Sequence, residues 1–340
     1  MLSIDHTKWY IDNRPIYESL LNTVSSLINA LLIRERIGFY QIKYRVKKFK
    51  SFEDKLVNKK YSHPQDMTDF AGLRVICYLK RDIQVVTALL EDNFDIIKKE
   101  DKLAELGIDR VGYNAIHLDA TLKKDRISLP EYDRFAGLNF EIQIVTVLQH
   151  AYAEIEHDLV YKSGDVLPES ILRQIRLMSG ELENADQIFE NIIKEVDEHK
   201  NKSSQQIENH TLDIPIDSAS LRRYLIKKFG DIPNFKAQYG SVKDRDVIDQ
   251  LHGMGITTLA DFERIIPPDF KEKYLEIPSS KYGTYATGLV IWLLIIHDYK
   301  KYFHEVYKES YGIFDTHDFH VFSKFGLDTS KFPTNLFECD

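Results

Sequence analysis

Phe140-Glu-Ile-Gln-Ile-Val-Thr146 runs directly into Val147-Leu-Gln-His-Ala-Tyr-Ala-Glu-Ile-Glu-His-Asp-Leu-Val-Tyr-Lys162, and this passage decides the reading of the N-terminal half. Phe140, Ile142 and Ile144 alternate with Glu141, Gln143 and Val145. The spacing predicts a strand with one apolar face and a carboxylate and an amide on the other. After Thr146 the period changes. Leu148, Tyr152, Ile155 and Leu159 form a helical apolar stripe, while His150, Glu154, His157 and Tyr161 sit three or four apart on a neighbouring face. A strand that carries a carboxylate and hands over to a polar-lined helix suits phosphate and metal chemistry.

Outward from this passage, the first 160 residues alternate between the two periods. Arg14–Arg36 has helical spacing, and Tyr44–Lys47 reads as extended. Ser51-Phe-Glu-Asp54 has the capping-box pattern for a helix starting at Ser51. Leu73–Leu79 is a near-continuous apolar run, as in an interior strand. A helix is expected over Asp82–Asp92, with strands over Phe94–Lys99, Val111–Leu122 and Leu138–Thr146. This is an α+β or α/β domain built on one sheet. Pro168 to about His199 reads as one long helix. The polar stretch Asn201–His210 is turn-prone and is taken as a linker. Beyond it Ser218–Phe229, Val247–Met254, Thr258–Ile265 and Thr284–Glu309 read as helices. The expected organisation is residues 1–200, a 201–210 linker, and an all-α domain over 211–340.

With 340 residues, 43% of them hydrophobic, the chain can bury two cores. A net charge of −8 argues against a general nucleic-acid or membrane-surface binder. Cys77 lies in an apolar run and is expected to be buried and reduced, far in sequence from Cys339. Neither a secretory signal nor a bilayer-crossing helix is read; Gly288–Ile296 is too short to span. The expectation is a soluble cytoplasmic protein.

The chemistry-bearing residues begin with a basic window in an acidic chain, which includes Lys43, Arg45, Lys47, Lys55 and Lys59. In an extended strand Arg45 and Lys47 share a face, so the window is either a polyphosphate site or a solvated surface. Asp69, just before Ala71-Gly72, is either a loop cap or a carboxylate at a sheet edge. Arg74, inside the apolar run, must be paired, in a structural ion pair or at an anion in a cleft. Tyr113, Ala115 and His117 share a strand face, where Tyr113 either packs or stacks on a base. His150, Glu154 and His157 lack the His-Glu-x-x-His spacing of a zinc site; hydrogen bonds that order the helix are the expected role.

These blocks occur in a fixed order: Arg45-x-Lys47-x-x-x-Ser51-x-x-x-Lys55, Asp69-x-Ala-Gly-x-Arg74, Gly112-Tyr-x-x-Ile-His117, Glu141-Ile-Gln-Ile and Ala153-Glu-x-Glu-His157-x-x-x-Tyr161-Lys162. In that order the segment resembles the synthetase domain of the RelA/SpoT-type alarmone synthetases, or GTP pyrophosphokinases, especially the short single-domain kind. The resemblance covers about a third of the chain closely. It implies a nucleotidyltransferase-like mixed β-sheet flanked by helices, and transfer of pyrophosphate from ATP to the ribose 3′-hydroxyl of GDP or GTP. It implies that Arg45, Lys47, Ser51, Lys55, Arg74 and Arg81 contact ATP, that Asp69 and Glu141 hold Mg²⁺, and that Glu141 is the base. Tyr113, His117 and Gln143 would take the acceptor.

Two positions depart from the family pattern: Ala115 stands where Ser is usual and Val145 where Arg is usual. They leave acceptor identity open, and with it a toxic branch that places pyrophosphate on the 3′ end of tRNA. Lys98, Lys99, Lys123, Lys124 and Arg126 could meet an RNA backbone or form solvated faces. A non-catalytic nucleotide-binding regulator is the remaining alternative. The region after residue 210 lies outside the resemblance; it is read as an inhibitor docking on the synthetase domain, a sensor for a protein partner, or an oligomerisation module.

Overall fold

A computed structural model describes residues 4–59, 61, 63–101, 115–162, 167–237, 243–278, 283–307 and 314–333. The alternating segments pair into one five-stranded sheet. Its strands are β1 (Phe39–Val46), β2 (Ala71–Cys77), β3 (Phe94–Asp101), β4 (Ile116–Leu122) and β5 (Asn139–Thr146), in the order β1-β2-β5-β4-β3. The β2–β5 pair is parallel and the other three are antiparallel, which makes the sheet mixed.

Register turns the alternation into two different faces. Leu73, Ile142 and Leu118 lie side by side, as do Val75, Ile144 and Ile116, all pointing into one apolar core. Helices α1 (Ile4–Arg34), α2 (Phe49–Lys59) and α3 (Lys80–Asn93) contribute to that core. Rows of polar residues cross the other face. Arg45, Gly72, Glu141 and Asp119 are neighbours in one row; Lys43, Arg74, Gln143 and His117 form the next. The fold class is thus α+β with a mixed sheet, as expected.

Several boundaries differ from the sequence reading. Helix α1 starts ten residues early because Trp9 and Tyr10 also pack, on Phe52 and Phe70. Its segment His6–Arg34 is long and apolar enough to cross a membrane, contrary to the expectation that no helix would be. Here that helix buries Leu20, Leu21, Val24 and Ile28 in the core beside the sheet. Ser51 is not a cap: α2 begins at Phe49, and Phe49 and Phe52 against Tyr10 pull the start two residues back. Helix α4 (Val147–Glu156) follows β5 directly, with Thr146 accepting from Gln149 N as the cap, and it continues into a π-helical turn over His157–Lys162. Cys77 is fully buried and burial pushes its thiol up to about 12; Cys339 lies outside the described residues.

The long helix α5 runs Glu169–Glu208, so the expected linker at 201–210 is mostly helix. The misreading has a physical cause. Residues 201–208 contain no Gly or Pro, and Ser203 and Ile207 are buried, the latter in the C-terminal core. The chain divides into two compact units within this helix, at Lys194/Glu195. The C-terminal unit contains α6 (Ser218–Phe229), α7 (Asp244–Gly253), α8 (Leu259–Ile265), α9 (Phe270–Leu275), α10 (Ala286–Lys301) and α11 (Thr316–Lys324). One short parallel pair, β6 (Phe235–Lys236) with β7 (Thr284–Tyr285), interrupts the helices. The apolar run in α10 is its centre, with Leu289, Val290, Leu293 and Leu294 fully buried.

That unit contains a titratable group with a measurable consequence. Asp318 accepts from the Trp292 indole at 2.6 Å, and burial pushes its carboxyl up to about 6. A raised carboxyl favours the fold while protonated and loses that advantage as pH rises through the folded value. The C-terminal unit should therefore be less stable at pH 7.5 than at pH 5, by about 1.4 kcal/mol from this group, the earlier part of the loss having occurred between the ordinary carboxylate value and pH 5. Thermal melts across that range should show the slope in the parent protein and a flattened one in Asp318→Asn; equal slopes would remove Asp318 as the cause.

Candidate functional site

The polar face of the sheet becomes a cleft because α2 and α4 bring further polar side chains to it. Lys43, Arg45, Lys47, Asp69, Arg74 and Glu141 are among the residues lining a cavity of about 280 Å³. Gly72 contributes space: a Cβ built there would meet nothing within 4 Å.

Asp69 is placed by its own loop. The Lys47 amide donates to the Phe70 carbonyl at 2.9 Å, which ties the loop to the end of β1, and Thr68 hydrogen-bonds Asp119 on β4. Asp69 Oδ2 accepts from Lys47 Nζ at 3.2 Å and from Lys55 Nζ. Its Oδ1 is buried with no hydrogen-bond partner. Burial alone would raise this carboxyl, but the two lysines outweigh burial and hold it below its ordinary value. Glu141 balances in the same way. Burial raises it, while His117 Nδ1 at 3.0 Å and Gln143 Nε2 at 2.7 Å lower it by more, against a raising contribution from Asp69. Two neighbouring carboxylates are thus both kept ionised.

Arg74 is the paired guanidinium that the sequence demanded. Its Nε and Nη2 donate to Gln143 Oε1 at 3.1 and 2.9 Å, and its Nη1 reaches His150 Nδ1 at 2.9 Å and Glu154 Oε1 at 3.0 Å. This orients the Gln143 amide so that its nitrogen faces Glu141. Lys43 Nζ lies 2.9 Å from the other His150 nitrogen. Burial, Lys43 and Arg74 all push His150 down, so it stays neutral and accepts a hydrogen bond on one side. Asp119, by contrast, is raised by burial, with Glu141 and Glu100 adding to it.

The structure therefore brings Arg45, Lys47, Lys55, Asp69, Arg74, His117, Glu141 and Gln143 to one face or its rim. Ser51 is exposed on α2, one turn before Lys55. Arg81 is not with them. It sits at the start of α3, past the opposite end of β2, with its amide and guanidinium on Glu190. Spacing alone does not fix where the turn after β2 ends, and so does not fix the side of the sheet that Arg81 joins. Tyr113 lies outside the described residues. Asp119 was missed, and so were the roles of Lys43, His150 and Glu154. The signal was the strand period: Lys43 stands two residues before Arg45, and Asp119 two after His117.

The two unusual positions also meet. Val145 and Ala115 pack with Ile76 in a small, fully buried apolar group on the same face as Glu141 and Gln143. A fixed cation at 145 is replaced by a dry row that continues the polar ones.

Residues 44–166 match the family described as a region found in RelA/SpoT proteins. GTP pyrophosphokinase YjbM of Bacillus subtilis is 30% identical over 150 residues, which cover 42% of this chain and 68% of that protein. GTP pyrophosphokinase YwaC of the same organism is 28% identical over 162 residues, covering 46% and 74%. The crystal structure of small alarmone synthetase 1 from Bacillus subtilis aligns with 56% of this chain and 99% of its own, at 26% identity and a TM-score of 0.48. The matched region holds the cleft, the paired acids and the basic window. The chain belongs to the RelA/SpoT-type family of alarmone synthetases, and it is a pyrophosphate-transferring enzyme rather than a non-catalytic nucleotide binder.

Proposed function

We propose that the protein moves pyrophosphate from ATP to the ribose 3′-hydroxyl of GDP or GTP, making (p)ppGpp-type alarmones in a stringent-response-like signal. One observation carries this reading. Two ionised carboxylates, Asp69 and Glu141, stand beside a cleft whose other charged walls are mostly cationic, and Asp69 Oδ1 is buried without a partner. Such an orphaned oxygen, with two acids and substrate phosphates, fits a magnesium ion better than zinc. Among the described residues no cluster of three or more potential metal ligands exists, which also suits a metal completed by phosphate and water. Mg²⁺ bound at Asp69 and Glu141 would neutralise charge on the transferred group.

The residues divide the work. Lys47 and Lys55 hold the ATP phosphates, and Arg45 holds the nucleotide above Gly72. Glu141 takes the proton of the 3′-hydroxyl. The 3′-oxygen bonds to the β-phosphorus, the bond from that phosphorus to the α,β-bridging oxygen breaks, and AMP leaves with the oxygen. Alignment and charge neutralisation dominate such a reaction, so no covalent nucleophile is needed. His117 and Gln143 fix Glu141 and border the acceptor. The nucleotide pools it would use are cytoplasmic, the location we assign.

The dry Ile76–Ala115–Val145 row supports a second acceptor, the 3′ end of tRNA, since it offers no cation to a free nucleotide's 5′-phosphates. Incubating the full chain and Mg²⁺ with ATP labelled on the γ-phosphate, and GDP, GTP, ATP or tRNA in turn, separates the cases. Label on guanosine nucleotide is the expected result. Label confined to tRNA replaces the acceptor and keeps the chemistry; label on no acceptor rejects the proposal.

Gly72 gives an independent check on where the donor lies. Gly72→Ala meets no protein atom, so the melting temperature should hold or rise slightly. The added methyl occupies cleft space, and KM for ATP should rise roughly tenfold. An unchanged KM would move the nucleotide away from this row.

A further inference from the structure

His150 is held between two cations. Its Nδ1 lies 2.9 Å from Arg74 Nη1, and its Nε2 lies 2.9 Å from Lys43 Nζ. A guanidinium and an ammonium only donate, and a neutral imidazole has one acceptor nitrogen. In either tautomer, one of the two cations faces an N–H instead of a lone pair. A protonated ring would offer no acceptor at all. His150 is 7% exposed, so little water reaches the mismatch.

The two cations do not depend on the ring equally. Arg74 also donates to Gln143 Oε1 and Glu154 Oε1. Among the described residues Lys43 has no carboxylate or carbonyl partner. It lines the cleft from β1, on the strand face of Arg45 and Lys47. At about 3.3 Å per residue, Lys43 and Lys47 stand about 13 Å apart, which is comparable with the length of an extended nucleoside triphosphate. With phosphates at Lys47 and Lys55, the group that reaches Lys43 is the base. A purine presents bare ring nitrogens such as N7 and N3 as acceptors.

We propose that Lys43 contacts the base of the donor nucleotide and that His150 is its positioning residue: the uncharged ring holds the ammonium at the cleft wall, and a ring nitrogen of the base accepts its unmet hydrogen bond. This rests on the placement of ATP proposed above and adds a contact to it. The charge of the ring is part of the arrangement. The charged groups facing it are Lys43 from β1, Arg74 from β2 and Glu154 from its own helix; Gln143, the β5 residue of that row, is neutral. Burial, Lys43 and Arg74 disfavour a proton on the ring, and Glu154 favours it. Protonation removes the lone pair and sets a third cation beside the other two.

The test is calorimetric binding to the full chain, with Mg²⁺ and an ATP analogue carrying a methylene bridge between the α and β phosphorus, so that no transfer is needed. Lys43→Met should raise the dissociation constant roughly 10- to 100-fold, the range for a hydrogen bond to a charged group, at an unchanged melting temperature. Inorganic triphosphate, which has no base, should bind the parent and Lys43→Met alike. His150→Gln keeps an acceptor oxygen and should stay within about threefold of the parent at pH 7.5, whereas His150→Lys, a fixed cation, should lose as much as Lys43→Met. Between pH 7.5 and pH 5 the parent should weaken relative to His150→Gln, by up to about tenfold per pH unit below the folded value of the ring. Titration of the analogue's own phosphates is common to both proteins. Unchanged affinity in Lys43→Met overturns the base contact, and an equal loss for triphosphate moves Lys43 to the phosphates. Identical pH profiles for the parent and His150→Gln, or a His150→Lys variant as tight as the parent, remove His150 as the positioning residue. A parent that does not bind the analogue rejects the donor cleft itself, and this contact with it.

Discussion

Glu141→Gln should lower kcat for pyrophosphate transfer about 10³-fold and leave ATP binding within a factor of a few. General-base catalysis by one positioned carboxylate is worth about 10²–10⁴-fold, and the same group would also hold the proposed Mg²⁺. The substitution is nearly isosteric. Its carbonyl can still accept from Gln143 or His117, so one of the two hydrogen bonds is kept and the side chain stays in place. The residues proposed to hold ATP, Arg45, Lys47 and Lys55, are untouched, and the donor should bind as before. Single-turnover kinetics with labelled ATP, beside calorimetric ATP titration, check both halves. A fully active variant removes Glu141 from the mechanism. Loss of binding together with turnover would make it a donor-site residue instead.

The largest expected effect on stability is at Phe70. Its ring is 1% exposed and lies 5.0–5.8 Å from Trp9, Tyr10, Tyr17 and Phe52, so one side chain joins α1, α2 and the start of β2. Deleting a buried Phe costs about 3–5 kcal/mol through lost transfer energy and the cavity left behind. Edge-to-face pairs add about 0.5–1.5 kcal/mol each. Phe70→Ala should therefore fall at the upper end of that range in denaturant unfolding of the N-terminal unit. Phe70→Leu, which keeps most of the volume, should cost less than half as much. A loss below about 1 kcal/mol for the Ala variant would mean that the five rings do not act as one core.

How far the fold could be read before the structure depended on the kind of signal. β5 was legible because Phe140 to Ile144 alternates apolar with polar, and so was the pairing demand of Arg74, since a guanidinium in an apolar run has few ways to exist. The identities of its partners were not legible: Gln143 meets Arg74 only through the β2–β5 pairing, and His150 and Glu154 come from α4, where no local pattern says how a following helix will lay its polar face. Ser51 misled because a capping box is a local preference of about 1 kcal/mol, while Phe49 and Phe52 bury large rings. Asn201–Glu208 misled in the opposite way. Its polarity looked like a linker, yet two well-spaced contacts, Ser203 and Ile207, hold it as helix. Arg81 shows the limit of motif spacing, which fixes order along the chain but not the end of a strand from which a side chain departs.

Asp69 and Phe70 are consecutive residues, one at the candidate cleft and one at the centre of the aromatic cluster. The backbone hydrogen bond from Lys47 to the Phe70 carbonyl ties their shared loop to the end of β1. Warming that loosens the rings should therefore disturb the carboxylate before strands β2 and β5 part. The temperature at which activity is lost should accordingly track the packing of the five rings Trp9, Tyr10, Tyr17, Phe52 and Phe70.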